Sequence, residues 1–198
     1  FKPYIHIILV FLLGQSLCAA EDFSKNVVIH EKPVKINELK FKDSDLNDVD
    51  LTNKKGNIMI INFWATWCEP CKKQMYHLNR FNEHFKGTGL KVLTINTDTP
   101  KSMGKVKSYI RSKKFKFSVA VDPNGQVKKK LKAQLMPTTI LVGMDGSIIY
   151  RHQGYSPGDE DDILKHVTDH LDSEGIAYEP FTQENVRTIE KKKVDIDF

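Results

Sequence analysis

Cysteine is scarce in this chain, with three among 198 residues, at positions 18, 68 and 71. So few exclude a disulfide framework as the source of stability, and the last two stand at C-x-x-C spacing. A second cysteine pair to complete a structural zinc site is missing too. Charge of one sign is not in large excess. The formal net charge is +5, too small a bias to point to nucleic acid by itself. Repeats and low-complexity segments are absent, and apolar runs are short. About 20 apolar residues are needed to span a bilayer, whereas the N-terminal run covers residues 4–13 and is interrupted by His6. What is present suits one domain: a length within the usual range and a 40% hydrophobic fraction, enough for one packed core.

The first twenty residues differ from the rest. Lys2 precedes the apolar run, and the small residues Cys18-Ala19-Ala20 precede Glu21 and Asp22. That order describes a secretory signal peptide with cleavage after Ala20. A rival reading has Cys18 acylated as a lipoprotein anchor, which would tether the protein to a membrane. Leu17 then stands where bacterial lipoprotein signals use Gly, Ala or Ser. The expected layout is a signal at 1–20, a folded domain at 21–174 and a polar extension at 175–198, either a tail or a wrap over the surface.

Residues 21–56 are polar with small apolar clusters, as for a hairpin laid on the core and closed by Lys54-Lys55-Gly56. The continuous apolar run 58–63 predicts a strand buried on both faces. Met75, Leu78, Phe81 and Phe85 then recur at helical spacing over 70–85, and Gly87 and Gly89 end that helix. A second strand covers 90–95. Thr99 and Pro100 read as N-cap and first turn of a helix reaching about 113. A short strand is expected over 115–121, the turn Asp122-Pro123-Asn124-Gly125 next, and a basic helix near 126–132. Two strands, 138–142 and 147–151, are joined by Met144-Asp145-Gly146, and the last helix carries an Ile163, Leu164, Val167, Leu171 stripe. This βαβαβ-α-ββα order predicts an α/β layer fold with a mixed central sheet flanked by helices and a short N-terminal β extension.

The chemistry concentrates between the first strand and the first helix, in Asn62-Phe63-Trp64-Ala65-Thr66-Trp67-Cys68-Glu69-Pro70-Cys71. A sulfur at a helix N-terminus meets unpaired N–H groups and the positive end of the helix dipole, both of which favour thiolate. Thiolate is the nucleophile of disulfide exchange. Cys68 is therefore the candidate attacking thiol, and Cys71, one turn on, the resolving thiol. Met136-Pro137-Thr138 stands just before an apolar strand and is a candidate loop for facing the dithiol. Trp67 is a candidate shield or partner contact, and Trp64 reads as core.

Asn62 through Cys71, Asp122-Pro123-Asn124-Gly125, Met136-Pro137-Thr138-Thr139 and Gly154-Tyr155-Ser156-Pro157-Gly158 together resemble the TlpA/ResA branch of the thioredoxin superfamily. The similarity covers roughly residues 33–172 and implies a thioredoxin-like fold. It further implies an extracytoplasmic thiol–disulfide oxidoreductase acting on protein thiols or disulfides. Members similar to this are reductases, best known for haem-attaching cysteines of apocytochrome c, with electrons from a membrane thiol transporter. The resemblance also implies a cis bond before Pro137, with Trp67, Met136, Pro137 and Thr138 holding the substrate chain. No cofactor is expected beyond the Cys68–Cys71 disulfide itself, and no metal or nucleic acid. Thioredoxin carries an aspartate at the position of Asn62, and ResA-like members a glutamate at that of Gln74. Here both are amides, which leaves Glu69 as the nearest carboxylate; with Pro70, Asn62 and Gln74 it is a candidate for tuning the dithiol.

Other features receive blander readings. His166 and His170 are four apart but off the apolar stripe, as on a solvated face. His77 and His84 read as surface residues, and His152 is a weak candidate for a copper-chaperone ligand. Residues 101–132 hold eleven Lys/Arg and one acid, while 159–179 hold eight acids and one Lys. The first is a solvated face or one that steers an acidic partner or membrane. The second suits the start of a helix. An oxidase or a non-enzymatic metal or redox module of the same fold are the rival functions.

Overall fold

Alternation of side chains along a strand places neighbouring residues on opposite sheet faces, and both faces of the central strand β1 (Met59–Trp64) are buried throughout. The computed structural model describes residues 39–43, 45, 47–49 and 57–182. The order is β1, α1 (Glu69–His84), β2 (Lys91–Asn96), α2 (Met103–Lys113), β3 (Ser118–Val121), α3 (Gln126–Lys130), β4 (Thr138–Val142), β5 (Ile148–Gln153) and α4 (Asp159–Ser173). The sheet runs β3-β2-β1-β4-β5. β1, β2 and β3 are parallel, and β4 runs antiparallel to β1 and to β5. This is the expected mixed sheet.

One sheet face, including Ile60, Trp64, Val92 and Leu141, packs against Met75, Leu78 and Phe81 of α1, Val106 of α2 and Ile163, Val167 and Leu171 of α4. The other face, with Ile61, Phe63, Leu93, Ile95 and Ile140, is covered by Leu39, Phe41, Leu131 and Ala133. Of the expected N-terminal hairpin, Lys42 bridges both Asp48 and Val121. Lys54-Lys55-Gly56 and the signal segment lie outside the described residues.

Several boundaries differ from expectation. Thr99 makes no side-chain cap; a 3₁₀ turn at Pro100–Ser102 intervenes and α2 begins at Met103. β3 starts at Ser118 rather than 115, where β2 first offers a partner in Leu93. Asp122 organises the following turn, its carboxylate accepting from the N–H groups of Gln126 (2.9 Å) and Lys128 (2.7 Å).

The histidines are also less exposed than their spacing implied. His166 lies 4.2 Å from the Tyr150 ring, centroid to centroid, and burial pushes its pKa below the ordinary value. A Cβ added at Gly143 would come within 3.2 Å of His170's ring. Both side chains are half-buried against the β4–β5 hairpin rather than fully solvated.

Beyond α4 the chain turns back over α1. Phe181 meets Phe81 edge-on at 5.1 Å, and Glu179 C=O lies 2.7 Å from His84 Nε2. His84 is thus half-covered, between Phe85 and Phe181. Phe181→Ala is expected to cost about 1–3 kcal/mol from lost apolar burial and ring contacts. Thermal unfolding should show a midpoint several degrees lower with disulfide reduction unaltered; an unchanged midpoint would mean this segment contributes nothing to stability.

Candidate active site

Cys68 is the N-cap residue of α1, in extended conformation at φ −88° and ψ 98°, and its Sγ accepts the N–H of Cys71 at 3.3 Å. The cap places this sulfur where the helix presents free N–H groups. Pro70 sits in the first turn, where a missing N–H costs no helical hydrogen bond. The two sulfurs are bonded, with Cα atoms 5.3 Å apart. Cys68 retains 5% exposure and Cys71 none, so the first sulfur is the one open to a partner. Glu69 is exposed and pairs with Lys72 at 3.1 Å, which offsets its charge beside the dithiol.

Trp64 is fully buried, as expected, while Trp67 is 72% exposed. The Met136–Pro137 bond is cis. Thr97 Oγ1 lies 3.4 Å from both Trp64 O and Met136 Sδ, so the end of β2 joins the end of β1 to the proline loop. Gln153 Oε1 accepts from the N–H groups of Gln134 (3.1 Å) and Leu135 (3.0 Å), fixing the loop from the β5 side. Thr138 turns its side chain inward and donates to Leu135 O at 2.5 Å; Pro137 is likewise buried. The outward groups are Leu135, 62% exposed, and half-buried Met136. Met136 packs against the core cluster that includes Cys68 and Cys71, and Trp67 directly precedes Cys68, so the dithiol has apolar neighbours.

Three residues at the site, Asp98, Thr94 and Thr139, carried no local signal in the sequence, and they join Asn62 and Gln74, which did. Asp98, nearly buried, accepts from Thr66 N–H (2.7 Å), Thr66 Oγ1 (2.8 Å) and Asn96 Nδ2 (2.7 Å), bracing the loop that leads to Cys68. Beneath the dithiol, the strand registers set Thr139, Asn62 and Thr94 side by side across β4, β1 and β2. Asn62 Nδ2 donates to Gln74 Oε1 at 2.6 Å and to Thr139 Oγ1 at 3.0 Å. All four side chains are buried, and none is ionisable.

A cavity of about 650 Å³ lies at the opposite end of the sheet, between the close of α1 and the starts of β1, β2 and β3, and contains neither sulfur. Among the described residues no group of three or more His, Cys, Asp or Glu could hold a metal ion, and no helix is long and apolar enough to cross a membrane. His152 instead lies 3.0 Å from Asp159.

Comparison with known proteins agrees with this geometry. The redoxin family model matches residues 21–167. The thiol-disulfide oxidoreductase ResA of Bacillus thuringiensis subsp. konkukian is 29% identical over 127 residues, covering 64% of this chain and 72% of the relative. ResA of Bacillus subtilis is 31% identical over 108 residues, covering 54% and 59%. Among solved structures, a protein from Chlorobium tepidum described as thiol:disulfide interchange protein DsbE has a TM-score of 0.62 at 26% identity, covering 67% of this chain and 92% of its own. A thioredoxin-like protein from Porphyromonas gingivalis has a TM-score of 0.57 at 28% identity, covering 68% and 90%. With a C-x-x-C disulfide capping the first helix of a thioredoxin-like sheet, the chain belongs to the redoxin family as a thiol–disulfide oxidoreductase of the TlpA/ResA type.

Proposed function

We propose that this oxidoreductase works outside the cytoplasm as a reductant of protein disulfides, with the Cys68–Cys71 pair as its redox group and no further cofactor. The observation that carries the reading is Cys68 at a helix N-cap, the one sulfur of the pair that keeps some exposure, directly after exposed Trp67. An apolar rim around a nucleophilic sulfur suits an unfolded or extended protein segment better than a small polar disulfide. In this reading Cys68 attacks, Cys71 resolves, and Trp67 and Met136 contact the substrate chain. Pro137 and Thr138 shape the loop that receives it. Glu69, Pro70, Asn62 and Gln74 tune the pair.

Export is supported by the signal-like order of residues 1–20, with lipidation at Cys18 as the alternative route to the same compartment. A membrane thiol–disulfide transporter is the proposed electron source, and the haem-attaching cysteines of an apocytochrome c are one substrate of suitable chemistry. Direction is tested by the reduction potential, measured by equilibration with glutathione or thioredoxin. A reductant is expected at about −230 mV or lower; a value near −120 mV, the range of a strong oxidant, would overturn the reading in favour of an oxidase.

A further inference from the structure

Cys71 and Gln74 lie three residues apart on the buried side of α1, and neither is exposed. Helical side chains lean towards the helix N-terminus, so the long side chain of Gln74 reaches back towards the turn that carries Cys71. Its oxygen is held twice: Asn62 Nδ2 donates to Oε1 at 2.6 Å and Thr139 Oγ1 donates to it at 3.2 Å. Thr139 Oγ1 also accepts from Asn62 Nδ2 at 3.0 Å, closing a ring of three hydrogen bonds. That ring holds the amide by its oxygen. Its Nε2 is left as a buried donor with no partner in the protein, a condition that costs free energy and calls for an explanation.

Reduction supplies one. Opening the disulfide creates charge on a sulfur in the turn to which Gln74 reaches. We infer that Gln74 Nε2 donates a hydrogen bond to Cys71 Sγ when that sulfur is a thiolate, with Thr139 and Asn62 as the positioning residues that aim the amide. This role rests on Cys68 as the attacking and Cys71 as the resolving sulfur. Cys68 thiolate attacks a substrate disulfide, forming a Cys68–substrate bond and releasing one substrate thiolate, which takes a proton from water. Cys71, having given its proton to water, attacks Cys68 Sγ. The Cys68–Cys71 bond forms, the Cys68–substrate bond breaks, and the second substrate thiolate is protonated by water. Two electrons pass from dithiol to substrate. Gln74 moves no proton in this sequence; it favours the charged form of Cys71.

The groups around Cys71 allow a clean titration. The sheet residues that hold Gln74, Asn62 and Thr139, are neutral, as is buried Thr94 beside Asn62 in the register. On its own helix Glu69 is exposed and paired with Lys72, whose Nζ lies 5.7 Å from the Tyr109 ring of α2. Burial pushes the Tyr109 phenol up to about 12. Asp98 is engaged by Thr66 and Asn96.

In the full chain carrying Cys18→Ser and Cys68→Ser, Cys71 is the only thiol. The ultraviolet absorbance of its thiolate against pH reads the proposed bond directly. Adding Gln74→Met, similar in length but without an N–H, is expected to raise the titration midpoint by about one unit, a roughly tenfold smaller thiolate fraction at neutral pH. Thr139→Val, which keeps the donor but loosens its aim, should shift the midpoint the same way by less. A midpoint that stays or falls in Gln74→Met overturns the role; if circular dichroism shows that variant unfolded, the direction of the Thr139→Val shift decides. Disulfide turnover persisting after Cys68→Ser would fault the assignment of the two sulfurs, a separate failure that the titration of Cys71 does not share.

Discussion

Cys68→Ser is expected to lower disulfide reduction to the uncatalysed rate, and Cys71→Ser to stop it after one covalent step. The two outcomes differ because the sulfurs occupy different positions. Cys68 caps α1, keeps some exposure and accepts the Cys71 N–H, so its thiolate is both favoured and reachable. Serine is itself a good N-cap, so the helix should persist in Cys68→Ser and the loss be chemical. Cys71 is fully buried, and its task is to attack Cys68 once a substrate is attached. Without it the mixed disulfide has no internal escape. Mass spectrometry of Cys71→Ser after mixing with a disulfide substrate should therefore show one equivalent of adduct on Cys68. Adduct on Cys71 in the Cys68→Ser chain, with none in the reciprocal variant, would invert the assignment.

Asp98→Ala is expected to destabilise the protein by about 3–5 kcal/mol and to lower turnover as well. The carboxylate receives three hydrogen bonds at 2.7–2.8 Å, from Thr66 N–H and Oγ1 and from Asn96 Nδ2. Truncation leaves Asn96 Nδ2, inside the protein, without that acceptor. Thr66 opens the segment that ends at Cys68, so a loosened Thr66 also frees the cap sulfur from its position. Asp98→Asn keeps the shape and loses one acceptor, so a smaller effect should follow. Urea denaturation and hydrogen exchange at the Thr66 amide measure both parts. A stability within about 1 kcal/mol of the parent, with Thr66 still protected, would show the brace to be dispensable.

The elements that repeat a simple pattern are legible in the sequence. β1 is an unbroken apolar run, α1 has apolar residues at helical spacing, and β4 has the bounds expected of it. Departures from the expected pattern lie where the chain's geometry overrides the local signal. Thr99 looks like a cap from its flanking proline, yet the chain first makes a 3₁₀ turn there. His166 and His170 fall off the apolar stripe of α4 but face a hairpin that no helical wheel contains.

The same division runs through the active site. By themselves, the residues from Asn62 to Cys71 determine a dithiol at a helix start, because strand, turn and helix signals are all local there. The companions of that dithiol were decided by the tertiary structure. Asp98 reaches Thr66 across 32 residues, Thr139 reaches Gln74 across 65, and Asn62 reaches Thr139 across 77. An aspartate after a strand, or a threonine within one, reads the same whether it meets water or a buried amide. Only strand order and register bring those groups together, and it is burial that turns polar residues of little local meaning into the brace and the amide ring around Cys68 and Cys71.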